Sequence, residues 1–328
     1  MPSIASVVIH SSQFPGQVGR DLLESLRSRQ VNHKFHYDSV KQSNQWLALH
    51  QAYSPSRTDA DCAAVYDQGF AEAIGRIEAG SVHLMGLGCG GGQKDARLLQ
   101  LMHKAGKQVA YTPSDVSVAM VLVAREAALS VMPDKDCHPL VCDLATADDL
   151  AGILQGQTNP DAARLVTFFG MIPNFEPQII LPRLAGLLRP ADYLLFSANL
   201  APGSDYSAGV QRILPLYDNE LTRDWLMTFL LDLGVERDDG KLRFTVEDDA
   251  ASGLKRVAAN FYFERTRQVM VEGETFEFRA GENIRLFFSY RHTPEKVRSL
   301  LGKYGIKILG QWITKSEEEG VFLCQRVM

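Results

Sequence analysis

One stretch limits what this chain can fold into more than any other: Val82 to Lys94, VHLMGLGCGGGQK. An apolar run of strand length, Val82 to Leu87, passes straight into Gly88, Gly90, Gly91 and Gly92. A helical pattern follows from about Asp95 to Ala105, with Leu98, Leu99, Leu101 and Met102 on one side. Strand, glycine-rich turn and helix together open a mononucleotide-binding βαβ unit. Glycine permits the tight turn and, lacking a Cβ, lets a ligand lie against the main chain. The helix that follows offers free N–H groups to polar ligand atoms. A glycine turn at the end of any parallel strand gives the same local pattern, so the rest of the chain decides between them.

That rest alternates. A helix is predicted over Asp59 to Glu78, with Cys62, Ala63, Val65, Phe70, Ala73 and Ile74 on its apolar side, and Gly80 ends it. Strands are predicted at Gln108–Thr112, Pro139–Cys142, Ala163–Phe169 and Tyr193–Ser197. Helices between them are predicted at Ser117–Leu129, Asp148–Leu154 and Pro177–Leu188. Residues 60–200 therefore read as an α/β unit whose parallel sheet is covered on both faces. Ligands bind such sheets at the carboxyl ends of the strands. The residues found there are the glycines, then Asp115, Asp143 and Gly170 to Asn174.

The flanks read differently. Ile4 to His10 has the length of a short strand, and Gln17 to Arg27 has a helical pattern. Lys34 to Asp59 mixes aromatic and polar residues. Its Tyr37, Trp46, Tyr53 and Arg57 either face a ligand or pack this arm onto the body, and Pro55 should stop any helix. Beyond Ser204, Tyr206 to Leu233 reads as helical and the charged Asp238 to Asp249 as irregular. Arg256–Arg267 and Gln268–Phe278 alternate like strands, with a turn at Glu272–Glu274, and Ile284–Arg291 is another strand. A helix over Glu295–Tyr304 leads to a closing hairpin, Ile306–Thr314 with Gly320–Arg326, so one strand at that end of the sheet should run antiparallel.

Composition excludes several classes. With 328 residues, 45% hydrophobic and 22% charged, the chain is long enough for one large domain or two ordinary ones. A net charge of −5 leaves no basic footprint for nucleic acid. No apolar run approaches the roughly 20 residues of a membrane helix. MPSIASVVIHSSQ lacks the charged start and long apolar core of a signal peptide. Five cysteines form no CxxC, which fits a reducing, cytoplasmic setting, and the eight histidines show no metal-ligand spacing. The oligomeric expectation is a monomer or weak oligomer.

Two enzyme classes use such a sheet. A dehydrogenase needs G-x-G-x-x-G and an acid further on; Gly86, Gly88, Gly91 and Asp115 satisfy this formally. A class I methyltransferase also wants an acid after the next strand, a helix ending in L-[KR]-P and a final β hairpin. Asp143, Leu188-Arg189-Pro190 and the closing hairpin supply them. The methyltransferase is the better fit and the NAD-dependent oxidoreductase the alternative. A non-catalytic protein that binds S-adenosylmethionine (SAM) or its demethylated product, S-adenosylhomocysteine (SAH), is a third reading.

A narrower likeness covers most of the chain. KFHYDS…YSPSRTD (from Lys34) is similar to K-x-F-Y-D-x…Y-Y-P-T-R-T-E, and Leu87-Gly88-Cys89-Gly90 to Lys94 to L-G-S-G-x-x-x-K. Pro113 to Ser117 matches P-x-D-V-S, and Phe169 to Phe175 resembles F-L-G-S-x-I-G-N-[FL], one residue shorter. Tyr217-Asp218, Ala280-Gly281-Glu282, Ser289 and Pro294-Glu295 complete the pattern. The chain thus resembles the histidine-specific N-methyltransferases of ergothioneine biosynthesis, a group that includes fungal indole-alkaloid N-methyltransferases. The resemblance implies a class I SAM-methyltransferase domain (60–203 and 290–328) and an α+β accessory domain (1–59 and 204–289) that closes over a small amino acid or amine. It implies SAM as cofactor, held by Gly88, Gly90, Lys94, Asp115, Asp143, Leu144 and Tyr53. It implies Tyr37 and Asn174 at the reacting amine, with Tyr217, Phe287 and Ser289 around the substrate. In that family's histidine enzymes an acid stands two residues before the Ser289 equivalent and reads the imidazole. Here that residue is Phe287, whose ring accepts no such hydrogen bond, so histidine is not the expected substrate.

Overall fold

In a computed structural model, residues 4–156 and 161–327 are described. The strands are β1 (Val8–Ile9), β2 (Ser81–Leu87), β3 (Gln108–Asp115), β4 (Leu140–Val141), β5 (Ala163–Phe168), β6 (Tyr193–Asn199), β7 (Gly240–Asp249), β8 (Leu254–Phe263), β9 (Arg267–Val271), β10 (Glu274–Phe278), β11 (Asn283–Arg291), β12 (Ile306–Ile313) and β13 (Glu319–Arg326). One sheet of eight strands runs β1-β4-β3-β2-β5-β6-β13-β12. β2 is parallel to both β3 and β5, and β13 is antiparallel to β6 and β12, as the closing hairpin predicts. The chain winds outward from β2 first on one side and then on the other, so the topological switch point lies at the carboxyl end of β2. The glycine loop is there.

The sheet is buried on both faces. On one face pack α4 (Ala60–Arg76), α5 (Gln93–Lys104) and α6 (Val118–Leu129), whose Phe70, Leu98 and Ala128 join Leu84, Tyr111, Leu165 and Leu195. On the other, α7 (Leu150–Gln155), α8 (Pro177–Leu187) and α11 (Pro294–Gly302) bring Leu150, Leu184 and Leu301 against Val166, Phe168, Phe196 and Phe322. Two-sided burial is why β2 and β5 read as near-continuous apolar runs.

A third core has other contributors. β11-β8-β7 form an antiparallel sheet, and β9 pairs with β10. With α1 (Pro15–Ser28), α9 (Tyr206–Tyr217) and α10 (Glu220–Asp232), these elements enclose Leu26, Phe35, Trp225, Phe229, Phe261, Phe263 and Phe278. The N-terminal arm is stitched to β11: Val31 N–H donates to Arg285 O at 2.8 Å and Arg285 N–H to Arg29 O at 2.9 Å.

Two sequence expectations change, and the aromatic stretch gains a helix. Gly240–Asp249 is a ten-residue strand. Its charges lie on an edge strand, Lys255 pairing with Asp248 and Arg256 with Glu247, so charge marks a sheet edge there, not irregular chain. The helical stretch 206–233 is broken at Asp218–Asn219, where Asn219 accepts from Thr222 N–H and caps α10. The aromatic stretch contains α2 (Val40–Tyr53), opened by a capping box in which Ser39 and Gln42 each accept the other's backbone N–H. It stops at Ser54, before Pro55, as expected, and Pro55–Thr58 forms the short α3.

Candidate active site

A cleft of about 630 Å³ opens at the switch point. Its floor is the loop after β2. Gly88 and Gly90 have φ of 60° and 51°, which side-chain-bearing residues rarely adopt. A Cβ at Gly88 would lie 2.6 Å from Met171, and one at Gly90 2.9 Å from Trp46. Both glycines are thus needed for backbone shape and for close approach.

Asp115 ends β3. Its Oδ2 accepts from Gly90 N–H and its Oδ1 from Ser117 N–H, both at 3.1 Å. Burial pushes this carboxyl up to about 6, against the lowering effect of those N–H donors. Asp143 follows β4. Its Oδ1 accepts from Ala145 N–H at 2.8 Å, while Oδ2 is buried without a hydrogen-bond partner, 3.8 Å from Lys34 Nζ. Lys34 itself is paired with Asp21. Burial raises the Asp143 carboxyl as well. Leu144 lines the cleft beside it.

At the other end Lys94, in the first turn of α5, donates to Tyr66 Oη at 2.9 Å. Tyr66 hydrogen-bonds Ser197 Oγ at 2.8 Å and Glu319. Burial lowers the Lys94 pKa, and the Glu319 charge counters this. The roof is α2: Trp46, His50 and Tyr53 stand four and three residues apart, one helical face, and all line the cleft. Tyr53 is 54% exposed, so it sits at the rim. Tyr37 lines the cleft with its ring 5.9 Å from Trp46 and 5.6 Å from Trp225. Burial, then the Asp115 charge, hold its phenol well above the usual range. Asn174, at the end of the turn after β5, donates from Nδ2 to Phe288 O at 3.0 Å and also lines the cleft.

The sequence-predicted residues divide. Tyr37, Tyr53, Gly88, Gly90, Lys94, Asp115, Asp143, Leu144 and Asn174 line one cleft. Tyr217, Phe287 and Ser289 are not among its lining residues. Tyr217 Oη donates to Ser289 Oγ at 2.8 Å and accepts from Arg291 at 2.8 Å. Phe287 is 7% exposed and packs against His33, Tyr217 and Trp225 at centroid distances of 5.2, 6.2 and 5.8 Å. A register shift between Arg285 and Phe287 marks a bulge in β11, and His36 Nε2 bonds Leu286 O within it. Bulges re-aim side chains beside functional sites.

His33, His50, Tyr66 and Glu319 also line the cleft, and residue patterns alone do not single them out; Met171, from the Gly170 to Asn174 stretch, lines it too. The Trp46/His50/Tyr53 spacing, read with the Ser39–Gln42 capping pair, carried a usable signal for His50. Glu319 had none, because it enters from the last hairpin. Among the described residues no cluster has the composition of a metal site, and no helix is long and apolar enough to cross a membrane.

The chain is similar to a SAM-dependent methyltransferase from Clostridium acetobutylicum, with 12% identity and a TM-score of 0.46 over 87% of this chain and 99% of that one. It is also similar to magnesium protoporphyrin IX methyltransferase from Synechocystis, solved with bound SAH (14% identity, TM-score 0.43, 95% and 97% covered). The 1,6-didemethyltoxoflavin-N1-methyltransferase of Burkholderia thailandensis gives 10% identity and a TM-score of 0.43, with 87% of each chain covered. No curated protein matches the chain. A family described as histidine-specific methyltransferase, SAM-dependent, matches residues 18–326, and with that match the nicotinamide reading of the glycine loop is retired: the chain belongs to this family of SAM-dependent methyltransferases.

Proposed function

We propose that this enzyme transfers the methyl group of SAM to the amino nitrogen of a small amine or amino acid other than histidine. The observation that supports the reading is that Tyr37 and Asn174 line one cleft, while behind the lining residue His33 an aromatic cluster around Phe287 stands where the family's histidine enzymes place an acid. The two-part division into 60–203 with 290–328, and 1–59 with 204–289, belongs to the same proposal.

The cleft has the donors and acceptors that SAM requires. Asp115 suits the ribose hydroxyls, since its two oxygens offer more acceptor positions than the backbone N–H groups of Gly90, Val116 and Ser117 fill. The Oδ2 of Asp143, which has no hydrogen-bond partner, suits the adenine amino group, with Leu144 against the ring. Lys94 suits the carboxylate of the methionyl part, with Tyr53 closing over it, and Glu319 places a negative charge near its ammonium. When bound, SAM supplies an electrophilic methyl on a sulfonium, whose leaving group is neutral. The protein then has mainly to align the nucleophile.

Asn174 is anchored through Nδ2 to the β11 backbone, which leaves its Oδ1 to accept an N–H from the acceptor amine. Tyr37 stays a neutral phenol, so it can accept from the amine or donate to an adjacent carboxylate. Both hold the nitrogen lone pair toward the methyl carbon. Transfer would form the N–C bond as the C–S bond of SAM breaks, with the amine proton lost to water. The acceptor must arrive unprotonated for its lone pair to be free. The assay is SAH formation over a panel of amines and amino acids that includes histidine. Asn174→Ala should lower turnover at least about 10-fold. Histidine turning over as fast as the best acceptor, or full activity in Asn174→Ala, overturns the reading.

A further inference from the structure

His33 and His36 sit in one 3₁₀ turn, His33–His36, and are used differently. His36 bonds Leu286 O through Nε2 at 2.6 Å and is wedged against Trp225 and Phe229, which is a structural role. His33 lines the cleft, yet both of its ring nitrogens are buried and neither has a hydrogen-bond partner. Its ring meets Phe287 and Phe288 edge-on at 5.2 and 4.6 Å. A buried polar group without a partner is unfavourable unless something else completes it. The carbonyl of Phe288 anchors Asn174, so His33 and the residue proposed to meet the amine share Phe288 as a neighbour.

We infer that His33 is the specificity-determining residue of this enzyme and that it reads a neutral O–H or N–H at the far end of an aromatic acceptor. The inference rests on the N-methylation proposed above. The aromatic body suits the cleft's own aromatic lining, Tyr37, Trp46 and Phe175, while the Phe287 and Phe288 rings back His33 and offer it no hydrogen bond. The neutral donor is set by charge. Burial, with His36 and Arg285 nearby, keeps the His33 ring uncharged, so one nitrogen accepts and the other donates. Arg285 lies over Phe288 at 5.1 Å and disfavours a cationic far end. A hydroxyl or ring N–H fits an uncharged imidazole, and the ring's depressed basicity makes it a poor proton acceptor for an ammonium.

The test is calorimetry on the full chain with SAH present. Matched acceptors are tyrosine against phenylalanine, tyramine against phenethylamine, and tryptophan against 1-methyltryptophan, each also assayed for methyl transfer with SAM. The wild type should bind the donor-bearing member of at least one pair about 10-fold more tightly. His33→Phe should erase that difference, His33→Gln should keep part of it, and SAH affinity should stay unchanged in both. Equal binding within every pair, discrimination that survives His33→Phe, or no binding of any member overturns the His33 assignment. Methyl transfer without donor preference overturns it too and leaves the proposed function standing. Donor-dependent binding with no methyl transfer supports His33 as the reader and overturns N-methylation.

Discussion

The cleft floor and the aromatic wall behind it are built in opposite ways. The floor comes from three loops at the ends of adjacent parallel strands, and its acids are held by nearby backbone, as Asp115 is by Gly90 and Ser117. The wall joins residues more than 180 positions apart: Trp225 Nε1 donates to His36 O across a separation of 189, and His36 bonds Leu286 across 250. A floor made locally serves any reaction with the same cofactor. A wall made from remote segments changes with one substitution, and the acceptor choice proposed above is assigned to it.

Four experiments can break or sharpen that contrast. The largest effect is expected from Phe263→Ala. Phe263 is stacked on Phe278 at 4.6 Å and is 1% exposed, so about 3–5 kcal/mol of stability should be lost in urea unfolding. If unfolding shows two transitions, one lowered by the substitution and the other raised by SAH, floor and wall fold separately. If one transition carries both shifts, the contrast in construction does not extend to stability.

The next concerns pH. Asp115 carries a folded-state pKa of about 6, above the roughly 3.9 of an unfolded chain. Between these values the folded state binds more protons, so this group's contribution falls as pH rises from about 4 to about 6. Relative to Asp115→Asn, the wild type should lose on the order of 3 kcal/mol across that window, read from urea midpoints at each pH. A difference that does not change with pH contradicts a desolvated acid on the floor.

Asp115→Ala should weaken SAM binding about 10- to 100-fold by calorimetry, through loss of hydrogen bonds to a charged acceptor. Unchanged affinity removes Asp115 from the cofactor site. The smallest effect is expected from Tyr217→Phe. It deletes one hydroxyl between Ser289 and Arg291, and should cost about 1 kcal/mol of stability while SAH affinity stays constant. A fall in SAH affinity instead would join wall to floor.

The same contrast explains what could be read from sequence. The glycine loop, Asp115, Asp143 and the closing hairpin were legible because each lies at a fixed place in a repeating strand–helix pattern. Asn174 was reached from motif likeness, and its bond to Phe288 O could not be foreseen. β7 was missed because edge strands tolerate charge, which local reading takes for loop. His33 and Glu319 were invisible: one is set by a bulge in a strand some 250 residues away, the other by antiparallel return of the last strand.

The two-residue strand β1 has a consequence for how the protein can be handled. Val8 and Ile9 pair with Leu140 and Val141, and Ser12 Oγ then accepts Asp143 N–H at 2.9 Å. The amino end of the chain is thereby threaded to within one residue's reach of the acid proposed to meet the adenine. Affinity tags and fusion partners placed tightly at this end, or trimming to Pro15, would disturb nucleotide capture while leaving every motif of the central sheet intact.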